Sequence, residues 1–181
     1  MSVASQANRT FASLRRHRNY RLYFIGQTIS ISGTWMQNVA QAWLIVLLTH
    51  SPLAVGLLAV CQFGPYCLFG LLGGSVADRV DQRRLMIATQ SAFMLSAAAL
   101  AVLALTGHAS VWEVYLLAGI NGTVTVLDTP VRQSFTIQMV GREELPNAIA
   151  LNSSLFNASR IIGPAIAGTI IAVAGVGLCF F

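Results

Sequence analysis

The chain has 181 residues, of which 55% are hydrophobic and only 9% charged. A soluble domain carries about 25% charged residues. The composition therefore excludes an ordinary water-soluble enzyme, a disordered chain and a nucleic-acid binder with a solvated surface. The net charge is +5 and all 11 basic residues are Arg, but they gather in a few short segments, so overall basicity says little about partners.

Residues 1–21 contain no acid and hold Arg9, Arg15, Arg16, Arg18 and Arg21. Transit peptides share this composition, but the segment reads better as a basic cytoplasmic tail lying on anionic lipid. Long apolar runs follow. A membrane span needs roughly 20 apolar residues to cross about 30 Å of hydrocarbon. Residues 22–48, 53–77, 85–106, 112–138 and 146–174 meet that length, and 178–181 reads as the opening of a sixth run. These runs are continuous rather than alternating and too long for barrel strands. Every backbone polar group in lipid must be satisfied within its segment, so the runs must be helices. The expected fold is an all-α polytopic membrane helical bundle, with about five spans plus the start of a sixth across residues 22–181.

The connections are short and their Arg content alternates. The second loop holds Arg79, Arg83 and Arg84, and the fourth region holds Arg132 and Arg142, while the first and third loops hold none. The positive-inside rule then places the N-terminus in the cytoplasm.

Polar side chains inside a span are costly, so their spacing is informative. In the first span Gln27, Ser30, Thr34, Gln37 and Gln41 step by three and four residues, with Asn38 at the margin of the same face. Asn121, Thr125, Asp128 and Arg132 repeat the step in the fourth span, and Ser153, Asn157, Arg160 and Pro164 in the fifth. The second and third spans show no comparable stripe, and Gln62 and Gln90 are isolated there. Interhelical hydrogen bonding usually takes one or two groups per helix, whereas stripes of this height suit the wall of a water-filled cavity. Gln27, Thr34, Gln37, Asn38, Gln41, Asn121, Thr125 and Arg160 are the candidate cavity or substrate residues.

Asp128 is the acid lying well inside a span, with Arg132 one turn on. The pair is either a structural ion pair or a coupling site, and the adjacent cation favours the first. Arg160 is placed either to meet Asp128 across helices or to attract an anionic substrate. Gly70 with Gly74, and Gly163 with Ala167 and Gly168, suit close helix packing, and Pro130 and Pro164 interrupt the helix ladder. Cys61, Cys67 and Cys179 read as core or lipid-facing residues, and the scattered His17, His50 and His108 give no metal set. With no Lys there is no phosphate loop, and no nucleophile–base arrangement appears. The reading is of a protein that is not an enzyme, holds no metal or cofactor and takes any driving energy from an ion gradient.

The second loop reads Gly74-Ser75-Val76-Ala77-Asp78-Arg79-Val80-Asp81-Gln82-Arg83-Arg84. It resembles the signature loop of the major facilitator superfamily, and it lies where that family carries it, between spans two and three. It departs from the pattern where Asp81 or Gln82 stands in place of a later Gly. The stretches Asp128-Thr129-Pro130-Val131-Arg132-Gln133 and Arg160-Ile161-Ile162-Gly163-Pro164-Ala165-Ile166-Ala167-Gly168 resemble the branch that includes the enterobactin exporter and macrolide efflux proteins. The resemblance implies a twelve-span fold in two six-helix halves, of which this chain is the N-terminal half. It implies that the first and fourth spans line a central cavity, and that Gly74, Asp78, Arg79, Arg83 and Arg84 form a latch to the other half. It also implies a secondary active transporter of the bacterial inner membrane, exporting small drug-like or siderophore-like amphiphiles. The partners are then membrane lipid, a small-molecule substrate and a C-terminal half or second copy, with no nucleic acid. The alternative is a non-transporting membrane fragment, because the chain stops at Phe180-Phe181 inside an apolar run.

Overall fold

The computed structural model describes residues 14, 16 and 18–180, without the side chains of residues 142 and 143. Most of the basic tail, including Arg9, Arg15 and His17, therefore lies outside the described residues, as do Phe181 and the Arg142 side chain. Helices account for nearly all the rest. Helix α1 runs over Arg18–Thr49, α2 over Pro52–Ala77 and α3 over Gln82–Leu105. Helices α4 (Val111–Gly141) and α5 (Glu144–Ala174) follow, and a 3-10 turn occupies Val176–Phe180. Where a sixth span was expected to open, the described residues form this turn and not an α-helix.

Local chemistry sets the element ends. Pro52 starts α2, where its missing N–H costs nothing. Asp81 caps α3 by accepting a 2.9 Å hydrogen bond from the Arg84 N–H. The Glu113 carboxylate accepts a 2.9 Å bond from the Ser110 N–H and closes the first turn of α4. Between α4 and α5 the backbone breaks only at Gly141 (φ 73°, ψ 174°), a region that essentially only Gly occupies. Helical geometry continues through Pro130, Pro146 and Pro164.

Helices α2 to α5 are each long and apolar enough to cross a membrane. Helix α1, with 32 residues, is long enough but is not among them, because its polar face dilutes its apolar content. The exposed surface is apolar in the manner of a lipid-facing one: Leu71 is 97% exposed, Val173 85% and Ile161 74%. The helices alternate in direction, so one end of the bundle carries Arg18, Arg21, Arg79, Arg83 and Arg84 and is here called the basic end. A small core of Tyr20, Val140, Ala148 and Leu151 closes that end. The main core, around Ala40, Ile45, Leu58, Leu100, Val114 and Ala167, lies toward the opposite end and includes Cys179 and Phe180 of the terminal turn.

Helices α2 and α4 cross at two glycines. Pro130 has no N–H, so the Val126 carbonyl lacks its helical donor. Gly73 of α2 packs directly on that carbonyl, and a Cβ there would collide with it. The arrangement is reciprocal: Pro65 frees the Cys61 carbonyl, and Gly122 of α4 packs on the carbonyls of Cys61 and Gln62. Each weakened helix ladder thus meets a glycine backbone of its neighbour, a setting for Cα–H···O contacts. Gly70 and Gly74, expected to form the packing pair of α2, instead face open space, as does Gly168. The helix rotation, which spacing does not fix, turns Gly73 inward. Gly163 packs as expected: a Cβ there would come within 2.8 Å of the Trp35 Cβ.

Candidate functional site

The polar side chains within the bundle form three levels. The level nearer the basic end is ionic. Asp128 is 5% exposed. Its Oδ1 accepts from Thr89 Oγ1 at 2.8 Å and from Gln90 Nε2 at 3.0 Å. Its Oδ2 accepts from Arg132 Nε in a close ion pair. Ser30 Oγ extends the chain by donating to Gln90 Oε1 at 2.9 Å. The carboxylate therefore ties α1, α3 and α4 together, roughly 20 Å from the α4 end at Gly141 by helical rise. Arg160 does not meet Asp128. Arg132 Nη1 is buried without a hydrogen bond.

The second level is made of amides and lies roughly 12–18 Å from the opposite end, again by helical rise. Gln62 Nε2 of α2 donates to Gln41 Oε1 of α1 at 2.7 Å. Gln37 and Gln41 are buried. Gln37 Nε2, Gln41 Nε2 and Asn121 Oδ1 are buried without hydrogen-bond partners. Gln62 and Gln90 are therefore not isolated, for each meets a polar group of α1.

The third level opens outward. Thr34, Ser153, Asn157 and Arg160 are exposed, while Asn38 and Thr125 are half-buried and Gln27 is buried. Thr34 and Thr125 hydroxyls bond back to the Ser30 and Asn121 carbonyls of their own helices, at 3.0 and 2.8 Å. A cleft of about 510 Å³ runs between α4 and α5, lined by Gln133, Thr136, Ile137, Leu145, Ile149, Asn152, Ser153, Phe156 and Asn157. The Arg160 guanidinium sits 5.7 Å from the centroid of the Trp35 ring, and Phe156 meets Trp35 edge-on at 5.7 Å. Ser32 and Ser159 bond across the same α1–α5 seam at 3.1 Å. Three helices thus share the polar faces seen in the sequence, but those faces divide between interhelical bonds and an open surface.

The signature loop lies at the basic end. Asp78, Arg79, Arg83 and Arg84 are exposed, and among the described residues their side chains make no ion pair. The Asp78 backbone N–H closes α2 by bonding to the Gly74 carbonyl at 3.1 Å. Among the described residues no group of His, Cys, Asp and Glu could hold a metal ion.

A family model described as a transmembrane secretion effector matches residues 8–181, nearly the whole chain. The chain belongs to this branch of the major facilitator superfamily. The staphyloferrin A transporter of Staphylococcus aureus is 29% identical over 154 residues, covering 84% of this chain and 39% of that protein. The enterobactin exporter of Shigella boydii is 29% identical over 163 residues, covering 90% and 39%. Macrolide efflux protein A of Streptococcus pyogenes is 25% identical over 164 residues, covering 88% and 40%. The chain spans about two-fifths of the length of these relatives. No solved structure matches it.

Within this major facilitator bundle, several site residues carry no signal in the sequence. Thr89 and Gln90 sit on a helix with no polar stripe, and Trp35 and Phe156 read as ordinary apolar residues. Asn152, which donates to Thr136 at 3.4 Å, lies one residue off the expected α5 face. Only the helix neighbours reveal what these residues touch.

Proposed function

We propose that the chain is the N-terminal half of a secondary exporter for small amphiphilic molecules, driven by an ion gradient and seated in the bacterial inner membrane with its basic end in the cytoplasm. Family membership and the relatives, named as transporters of staphyloferrin A, enterobactin and macrolides, support this reading. The observation that carries it is the set of exposed polar side chains, Thr34, Ser153 and Asn157, well inside the helices of a bundle whose exposed surface is largely apolar. Such groups face a water-filled path and not lipid. The half-buried Asn38, Asn121 and Thr125 extend that wall inward, and the buried Gln27, Gln37 and Gln41 lie behind it.

Asp128 acts as a fixed ion pair with Arg132, holding α3 and α1 against α4. The exposed Asp78, Arg79, Arg83 and Arg84, with Gly74 ending the helix before them, meet the second six-helix half or a second copy. Alternating access then rocks this half against its partner about a midplane site.

The test is efflux of a radiolabelled macrolide and of a catecholate siderophore from cells expressing the full-length protein. Asn157→Leu combined with Ser153→Leu closes the polar face and is expected to cut efflux at least tenfold at equal expression. A protonophore is expected to do the same to the parent. Undiminished efflux in the double variant would remove the α5 face from the path, and no efflux of either probe by the parent would overturn the substrate class.

A further inference from the structure

Arg160 lies near the middle of α5, roughly 24 Å from one end and 21 Å from the other by helical rise. It is exposed, and its one recorded contact is the face of the Trp35 ring. A cation at this depth needs a compensating charge, and a cation–π contact within about 6 Å supplies only part of one. The acids among the described residues are engaged or remote. Asp128 is taken by Arg132, and Glu113 caps α4. Asp78 and Asp81 lie in the α2–α3 loop. Glu144 pairs with Arg16 at 3.0 Å, and it lies sixteen positions before Arg160 on the same helix, with Glu143 further still.

The surroundings select the missing anion. The guanidinium carbon lies 5.7 Å from the Trp35 centroid, and among the described residues no hydrogen bond engages its N–H groups, which match a planar, bidentate acceptor such as a carboxylate. One turn toward the basic end, Phe156 and Asn157 form part of the α4–α5 cleft. Its volume, about 510 Å³, falls within the usual range for a small-molecule site, roughly 300–1,000 Å³. The cleft lining is neutral amide, hydroxyl and apolar carbon, so it adds no competing acid. Phe156 offers an exposed ring edge-on to Trp35.

We propose that Arg160, seated on Trp35, is the anion-binding group of an aromatic-acid subsite, taking a small molecule with a carboxylate on an aromatic ring. This rests on the transporter reading above and names the chemistry of its substrate. The carboxylate meets the guanidinium edge, and the ring lies along Phe156 at the mouth of the cleft.

The test measures binding without transport, so it stands or falls apart from efflux. Trp43→Phe and Trp112→Phe leave Trp35 as the single tryptophan of the chain. The chain is placed in phosphatidylcholine nanodiscs and titrated with 4-nitrobenzoate and, separately, with the neutral 4-nitrobenzamide, both quenchers of indole fluorescence. The acid is expected to quench Trp35 saturably at a concentration at least tenfold lower than the amide. Arg160→Gln is expected to bring that ratio near one, and Arg160→Lys to keep part of it. Circular dichroism checks that both variants remain helical. If Arg160→Gln does not fold, the acid-to-amide ratio of the parent and of Arg160→Lys decides. Equal quenching by acid and amide in the parent would overturn the proposal, and so would a preference that survives in Arg160→Gln. Loss of the preference in phosphatidylglycerol discs would overturn it in favour of a net anionic lipid headgroup. Loss of the preference in the full-length protein would overturn it in favour of an acid from the second half.

Discussion

Asp128 shows what a single charge does in this bundle. Its two oxygens accept from Thr89, Gln90 and Arg132, which belong to two helices. Removing one partner of a buried ion pair costs about 3–5 kcal/mol, because the other charge is left uncompensated. Asp128→Asn is therefore expected to lower the thermal unfolding midpoint in detergent sharply, and Arg132→Gln in the same chain should restore most of the loss. A double variant as unstable as the sum of the single ones would show that the two residues act independently. The Asp128–Arg132 half of the cluster was legible from its four-residue spacing. Thr89 and Gln90 were not, because hydrogen bonds between helices depend on which helix is the neighbour and how it is turned, and one sequence carries neither fact. The same holds for Arg160, whose spacing left Asp128 open as a partner while packing places it on Trp35.

At the level of helices, the α2–α4 pair is the tightest test of packing. Gly73 and Gly122 each lie against a carbonyl that a proline has released. Gly73→Ala and Gly122→Ala must push the helices apart and are expected to destabilise the bundle by about 1–3 kcal/mol, the cost of overpacking. Gly70→Ala and Gly74→Ala meet nothing within 4 Å and should be neutral or slightly stabilising, because Ala is the better helix former by roughly 0.8–1.0 kcal/mol. Thermal unfolding of the four variants side by side checks this ordering, and equal losses at all four positions would contradict the crossing geometry. The helices themselves were legible, because long charge-free runs have no other stable form in lipid. The rotation of α2 was not, since a small-xxx-small spacing fits Gly70 and Gly74 by sequence while the bundle uses Gly73. Asp81 is a second case: it serves as a helix cap, which local chemistry allows but does not demand.

Across the whole molecule, the account depends on a division of surface. One part of the exterior is apolar, with Leu71, Val173 and Ile161 turned outward. Another exposes Ser153 and Asn157 in the α4–α5 cleft, and Thr34 on α1. The fold class and the family were legible from composition, loop charge and the Gly74–Arg84 motif. The inward turn of Gln37 and Gln41 was not, because an amide stripe looks the same whether it lines water or bonds a neighbour. The most direct measurement is cysteine labelling in a chain freed of Cys61, Cys67 and Cys179, with single cysteines returned at Thr34, Ser153, Asn157, Gln41, Leu57 and Leu71. A charged, membrane-impermeant thiol reagent should react with the first three at least tenfold faster than with Gln41, Leu57 or Leu71. Equal rates at the polar and the apolar exposed positions would mean that no water-lined face exists, and the transporter reading would lose its physical basis.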